Sequence, residues 1–187
     1  AIIAVHNTNL GPAVGGCRMW DYANDEEALV DALRLSKGMT YKNAMAGLTM
    51  GGGKSVIIGD AKSIKSEALF KAFGKALNRI NGRYLSAEDI NITTGDIAIV
   101  NTVTPFVMGT EGKSGNPGPF TALGTFLGIK ASVKHKLHRD DLNGLKVAVQ
   151  GLGSVGYGLC EHLHNAGAKL YVTDINQTAL DKAATEL

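Results

Sequence analysis

An α/β fold with a mostly parallel sheet is predicted by three observations. Helical stretches alternate with short apolar runs along the chain. No segment repeats and no tract is of low complexity, so a solenoid or linker array is not expected. Near residue 146 a strand-type run passes directly into a glycine-rich turn and another helical stretch. Two domains are expected, residues 1–138 and 139–187, divided in the charged stretch from Lys134 to Asp141.

The elements follow in order. Ala1-Ile2-Ile3-Ala4-Val5 is apolar but stops at His6, too short for a signal-peptide core or a membrane span, and reads as a strand. Asn24 or Asp25 caps a helix whose acidic start, Asp25-Glu26-Glu27, suits the positive end of a helix dipole. Leu29, Leu33 and Leu35 are expected on its buried face, with Met39 and Lys42 near its end. Val56-Ile57-Ile58 reads as a strand, Ser63 to Ile80 as an amphipathic helix started at Ser63 or Ser66, and Tyr84-Leu85-Ser86 as a strand. Pro117 and Pro119 precede an apolar helix through Leu123, Phe126 and Ile129.

Composition excludes several function classes. With 44% hydrophobic and 19% charged residues the chain belongs with soluble globular proteins. Its 19 basic and 17 acidic residues leave a net charge of +2, no footprint for nucleic acid or an anionic membrane. Cys17 and Cys160 lie far apart without metal-like or redox-like spacing, so reduced thiols in a cytoplasmic protein are expected. His135 with His138, and His162 with His164, lack a carboxylate or cysteine set to complete a site, and no metal is expected. Glycine, at 24 of 187 residues against a usual share of about 7%, is clustered, which marks places where backbone must approach something closely. The chain starts without Met and stops at Leu187 inside a helical pattern, so it is expected to be incomplete at both ends.

The last cluster carries the strongest motif. Lys146-Val147-Ala148-Val149-Gln150 is a buried-type strand that runs into Gly151-Leu152-Gly153-Ser154-Val155-Gly156 and a helix through Leu163. This is G-x-G-x-x-G in the context of a Rossmann unit. Gly151 permits the turn, Gly153 lets backbone N–H groups beside Ser154 and Val155 reach a pyrophosphate, and Gly156 lets helix and strand pack closely. A second strand, Lys169 to Thr173, ends in Asp174, placed for a ribose diol. Ile175 and Asn176 follow, with no nearby Arg for a 2′-phosphate, which favours NAD over NADP.

A second cluster, Gly51-Gly52-Gly53-Lys54-Ser55, imitates a P-loop. Gly47 to Gly53 encloses five residues where that motif needs four, and a strand follows where it needs a helix, so a nucleoside triphosphate is not expected. Lys54 has another use. Lys42 at the end of a helix and Lys54 twelve residues on can bring two ammonium groups toward one cleft, where mutual repulsion and dryness lower one pKa enough for base catalysis. Asp89 nearby would hold the other lysine charged. Spacing alone favours two ordinary surface lysines over catalytic ones.

Several linked stretches go further: Leu10-Gly11-Pro12-Ala13-Val14-Gly15-Gly16-Cys17-Arg18-Met19-Trp20, Gly38-Met39-Thr40-Tyr41-Lys42-Asn43-Ala44, Gly51 to Lys54, Ala87-Glu88-Asp89 and Ser114-Gly115-Asn116-Pro117. Together they resemble the glutamate/leucine/phenylalanine/valine dehydrogenase family, its leucine type most of all, over essentially the whole chain. The resemblance implies an N-terminal α/β substrate and oligomerisation domain followed by a Rossmann domain cut short here. It implies reversible, NAD-dependent oxidative deamination of a branched-chain aliphatic L-amino acid (leucine, also valine and isoleucine) to the 2-oxo acid and ammonia. On that carry-over Lys42 holds the substrate α-carboxylate with the Gly15-Gly16 backbone, Lys54 activates the water that attacks the imine carbon, Asp89 exchanges protons with the amino group, and Thr121 lies near the nicotinamide carboxamide.

Val14 stands where glutamate-specific relatives carry a Lys, so the resemblance implies an apolar pocket, with Met39 and Ala87 adding to its wall. Phenylalanine-type relatives share Gly-Gly-Cys-Arg-Met, and Cys17 keeps an aromatic substrate open; Met19-Trp20 and Ser114 to Pro117 point back to leucine. A homo-oligomer is implied, octameric in the leucine type. A non-catalytic NAD-binding protein on the same fold stays as an alternative, because fold does not fix function.

Overall fold

The computed structural model describes residues 1–110 and 116–187. Ser114 and Gly115, quoted above for the resemblance, lie outside the described residues. Two compact units result, Ala1–Asn116 and Pro117–Leu187.

The first unit is built on a four-stranded sheet of β1 (Ile2–Asn7), β2 (Ala13–Trp20), β3 (Gly51–Ile58) and β4 (Tyr84–Glu88), in the order β1-β3-β2-β4. β3 pairs parallel with β2, β2 parallel with β4, and only β1 runs antiparallel to β3. On one face Met19, Ile57 and Tyr84 pack against Phe70, Phe73 and Leu77 of α2 (Glu67–Ile80) and Ile97 and Val100 of α3 (Thr94–Asn101). On the other, Ala4 and Val56 pack against Ala28 and Ala32 of α1 (Asp25–Met45). Ser66 caps α2 and Asn24 caps α1, each accepting a backbone N–H in the first turn.

Two expectations change. The buried residues of α1 are Ala28, Ala32, Ser36 and Asn43, while Leu29 and Leu33 face outward, 44% and 52% exposed. The reason is close approach: a Cβ added to Gly52 would lie 2.1 Å from the backbone nitrogen of Thr40, so only small side chains fit between helix and sheet. The glycine triplet is likewise strand, not the lead-in to one. Cβ atoms at Gly51 and Gly53 would meet the Asn7 carbonyl at 2.0 Å and the Tyr84 ring at 2.6 Å, so neighbours, not strand propensity, select glycine there.

The second unit holds a parallel pair, β5 (Lys146–Gln150) and β6 (Lys169–Thr173), with α4 (Gly118–Leu137), α5 (Ser154–Asn165) and α6 (Gln177–Glu186). Ala122 and Val133 of α4 share a core with Leu159, Cys160 and Leu163 of α5 and Val149 of β5. By its packing α4 therefore belongs to this unit. The contacts divide the chain after Asn116, earlier than the 138/139 division expected from charge. No helix among the described residues is long and apolar enough to cross a membrane.

Candidate active site

Lys54 sits within the central strand β3, its side chain only 6% exposed. Its Nζ lies 2.9 Å from Asp89 Oδ2. Asp89 follows β4 in a turn that is fixed from several sides: Ile92 N donates to the Asp89 carbonyl, and Asn91 Nδ2 donates to the Met19 carbonyl. Arg18 on β2 donates from Nε to the same Asp89 Oδ2 at 2.9 Å and from Nη1 to Asp31 Oδ2, also at 2.9 Å. The Tyr22 hydroxyl donates to Asp31 Oδ2 at 2.6 Å. The result is a continuous chain, Lys54–Asp89–Arg18–Asp31–Tyr22, on the α1 face of the sheet.

Burial lowers the Lys54 pKa from the usual lysine range; the Asp89 charge opposes this and Arg18 adds to it. For Asp89 burial works upward, but the cations of Lys54 and Arg18 outweigh it and hold the carboxyl below its ordinary value. Burial pushes the Cys17 thiol up to about 12 despite the Ser55 hydroxyl and Lys54, so it is a protonated neighbour and not a nucleophile at neutral pH.

Gly15 and Gly16 lie in β2 beside this chain, and both positions require glycine. A Cβ on Gly16 would stand 2.4 Å from the Glu88 carbonyl and 2.7 Å from Asp89 Cβ; one on Gly15 would stand 1.8 Å from the Gly53 carbonyl and 3.2 Å from Met39 Cγ. The buried Tyr84 hydroxyl donates to the Gly15 carbonyl at 2.7 Å and lies 3.0 Å from Ser55 Oγ, fixing the backbone from beneath. Val14 is opposite Gly52 and Leu85, Ala87 is opposite Gly16, and Met39 is half-buried on α1.

Lys42 falls in the last turn of α1, exposed and without an ion pair among the described residues. Asp89 pairs with Lys54 and not with Lys42, and the cation bonded to the same carboxylate as Lys54 is Arg18. Among the described residues the cations sharing the Asp89 carboxylate are a lysine and an arginine. Arg18, Asp31 and Tyr22 were not singled out from sequence. Arg18 stands within a quoted motif, but its partner Asp89 is 71 positions away.

In the second unit Gly151 has φ +93°, and a Cβ on Gly156 would lie 1.9 Å from the Gly151 carbonyl, so the turn and the close helix packing both need glycine. At Gly153, by contrast, a Cβ would meet nothing within 4 Å, and no side chain caps α5 there. That open, uncapped helix N-terminus, with Ser154 and Val155 in its first turn, fits a dinucleotide pyrophosphate. Asp174, at the end of β6, accepts from Leu152 N of the glycine turn at 2.5 Å and from Asn176 N at 2.7 Å. Thr121 is in the first turn of α4, its hydroxyl donating to the Pro117 carbonyl.

Residues 1–110 match the model of the Glu/Leu/Phe/Val dehydrogenase dimerisation domain. The chain belongs to this family. It is 55% identical to leucine dehydrogenase of Thermoactinomyces intermedius over 100% of its length and 52% of that relative's. It is 45% identical to valine dehydrogenase of Streptomyces virginiae over 98% of its length and 52% of that protein's. Among solved structures, L-tryptophan dehydrogenase from Nostoc punctiforme superposes with a TM-score of 0.69 at 44% identity, covering 98% of this chain and 52% of that one. The chain therefore spans about half the length of the curated relatives it matches.

Proposed function

We propose that the protein of which this chain is part is an NAD-dependent dehydrogenase that reversibly deaminates a branched-chain aliphatic L-amino acid, leucine, valine or isoleucine, to its 2-oxo acid and ammonia. The observation that carries the reading is the buried Lys54–Asp89 pair beside Gly15-Gly16. A lysine whose pKa is lowered by burial and which is screened from bulk water gives up its proton more readily than a surface lysine, as a base must. Lys54 takes the proton of the water that attacks the substrate's imine carbon. Asp89, kept ionised by two cations, exchanges the proton of the departing amino group. Lys42, free at the end of α1, and the Gly15-Gly16 backbone receive the α-carboxylate. Val14, Met39 and Ala87 line the side-chain pocket; none carries a charge for a substrate carboxylate.

NAD, when bound, supplies the two-electron acceptor for the amino acid's Cα–H. Gly151, Gly153, Ser154, Val155 and Gly156 would receive its pyrophosphate, Asp174 a ribose, and Thr121 the nicotinamide amide. We assign the domains accordingly: substrate binding and oligomerisation in the first, NAD binding in the second. The outward apolar side chains of α1, Leu29, Leu33, Tyr41 and Met45, support a homo-oligomer, an octamer in the leucine-type reading. The two unpaired, buried cysteines support a cytoplasmic setting.

An aromatic amino acid is the second reading, favoured by Cys17 in Gly-Gly-Cys-Arg-Met and by the tryptophan dehydrogenase likeness. A panel of 2-oxo acids with ammonia and NADH, followed at 340 nm on the full-length protein, separates the two. Faster turnover of 4-methyl-2-oxopentanoate than of aryl 2-oxo acids is expected; NADH binding without turnover of any of them would leave a non-catalytic NAD-binding protein.

A further inference from the structure

Arg18 is the member of the polar chain to which the functional reading gives no task. Its guanidinium is bonded on two sides, Nε to Asp89 and Nη1 to Asp31, and so ties the turn after β4 to the second turn of α1 across the face of the sheet. Asp31 is itself held by the Tyr22 hydroxyl. The side chains of Arg18, Asp31 and Asp89 are 20%, 29% and 24% exposed, sheltered enough for the geometry to persist. Both cations on Asp89 bond the same oxygen, Oδ2; no described bond falls on Oδ1.

We propose that Arg18 is the positioning residue of this site: it anchors Asp89 Oδ2 in place against Lys54, so that Oδ1 is presented to the substrate's amino group. The inference rests on the amino-acid dehydrogenase reading and deepens it. Two different nitrogens of one planar fork make the two bonds, a geometry that the single nitrogen of an ammonium in place of Arg18 does not reproduce. Arg18 also closes the charge balance. Lys54 and Arg18 face Asp89 and Asp31, two cations against two anions. Other titratable groups beside them are Cys17 on β2 and Tyr84 on β4, both kept protonated by burial, Glu88 next to Asp89, its carboxyl raised by burial, Tyr22, whose proton is held by burial and Asp31, and Glu27 and Arg34, exposed on α1 around the same hollow as Asp31.

Loss of the Arg18 charge therefore raises the proton affinity of Asp89 and of Lys54 together. An adjacent cation moves a carboxyl by about one unit or more, so both limbs of the pH profile should shift alkaline by about that amount. A residue that only stabilised the fold would lower the amount of active enzyme and leave the limbs where they are.

The test compares full-length wild type, Arg18→Gln and Arg18→Lys. Two measurements are made: the pH profile of kcat/KM for oxidation of the preferred amino acid, and the pH midpoint of Lys54 acetylation by competitive labelling read by peptide mass spectrometry. Arg18→Gln is expected to move both limbs and the Lys54 midpoint upward, with kcat falling at least tenfold and KM changing less. Arg18→Lys keeps the charge but not the bridge, so its limbs should stay at the wild-type positions while kcat falls several-fold; this variant decides the matter if Arg18→Gln does not fold. Wild-type turnover with unmoved limbs and midpoint in Arg18→Gln, or a wild-type kcat in Arg18→Lys, would overturn the role of Arg18 alone. A wild-type protein that oxidises no amino acid would overturn the dehydrogenase reading, and Arg18's part in catalysis with it.

Discussion

Replacing Asp89 with Asn keeps the shape of the side chain and removes the anion beside Lys54. Lys54 Nζ, now 2.9 Å from Asp89 Oδ2 and with only 6% of its side chain exposed, would face Arg18 without a counter-charge. Removing one partner of a buried ion pair costs about 3–5 kcal/mol. A second route gives a similar bound. Lys54 escapes the penalty by shedding its proton, which from an ordinary lysine pKa of about 10.4 costs roughly 4–5 kcal/mol at pH 7. The variant should therefore be about 3–5 kcal/mol less stable than wild type at pH 7.

The sign of its pH dependence follows from linkage. In the variant the unfolded chain holds the Lys54 proton up to about pH 10.4 and the folded chain does not, so its stability rises with pH by about 1.4 kcal/mol per unit; wild-type Lys54, lowered less because Asp89 favours its proton, gains that slope only above its own folded value, and the deficit narrows up to that point. At the acid end the wild type alone loses stability through Asp89: its folded pKa is depressed, so the contribution is present above the unfolded value near pH 3.9 and disappears as pH falls through the folded one. Urea unfolding of the full-length wild type and Asp89→Asn at pH 7, 8 and 9 measures the gap. Adding Lys54→Met should restore most of the loss. A deficit below about 0.5 kcal/mol that does not vary with pH would refute a buried, paired Lys54.

Three further outcomes are expected. Gly153→Ala should leave the melting temperature unchanged yet weaken NADH binding in a fluorescence titration, because its added Cβ occupies open space; Gly156→Ala should lower both, because its Cβ would lie 1.9 Å from the Gly151 carbonyl. Tyr84→Phe strips a buried hydroxyl from the Gly15 carbonyl and Ser55, and should cost about 1–3 kcal/mol in denaturant unfolding. Cys17, buried and with its thiol pushed up to about 12, should resist iodoacetamide at pH 8 until the protein is unfolded, as followed by mass spectrometry.

Legibility in the sequence varied with how local the cause was. The segment from Lys146 to Asp174 could be placed almost to the residue, since strand alternation, glycine spacing and the terminal acid all act within one βαβ unit. The caps at Asn24 and Ser66 were equally local. Strand β2 and the start of β3 were hidden, because glycine is a poor strand former and their glycines answer to atoms of Thr40, Tyr84 and Glu88 far away in sequence. The buried face of α1 was misplaced for the same reason: leucine periodicity pointed Leu29 and Leu33 inward, but the close approach of the helix at Gly52 leaves Ala28, Ala32, Ser36 and Asn43 as the buried residues, with Leu35 half-buried. In the site, Lys54 and Asp89 were singled out by resemblance, whereas spacing, which set Lys42 beside Lys54, did not reach Arg18. Arg18 reaches Asp89 by strand neighbourship, a long-range contact that no short pattern encodes.

On the proposed function Lys54 exchanges the proton of the attacking water and is more than a scaffold lysine. Lys54→Ala in the full-length protein, assayed at 340 nm with ammonia, NADH and 4-methyl-2-oxopentanoate alongside an NADH binding titration, tests it directly. Turnover should be abolished while NADH binding is largely retained. Turnover within a few-fold of wild type would contradict it.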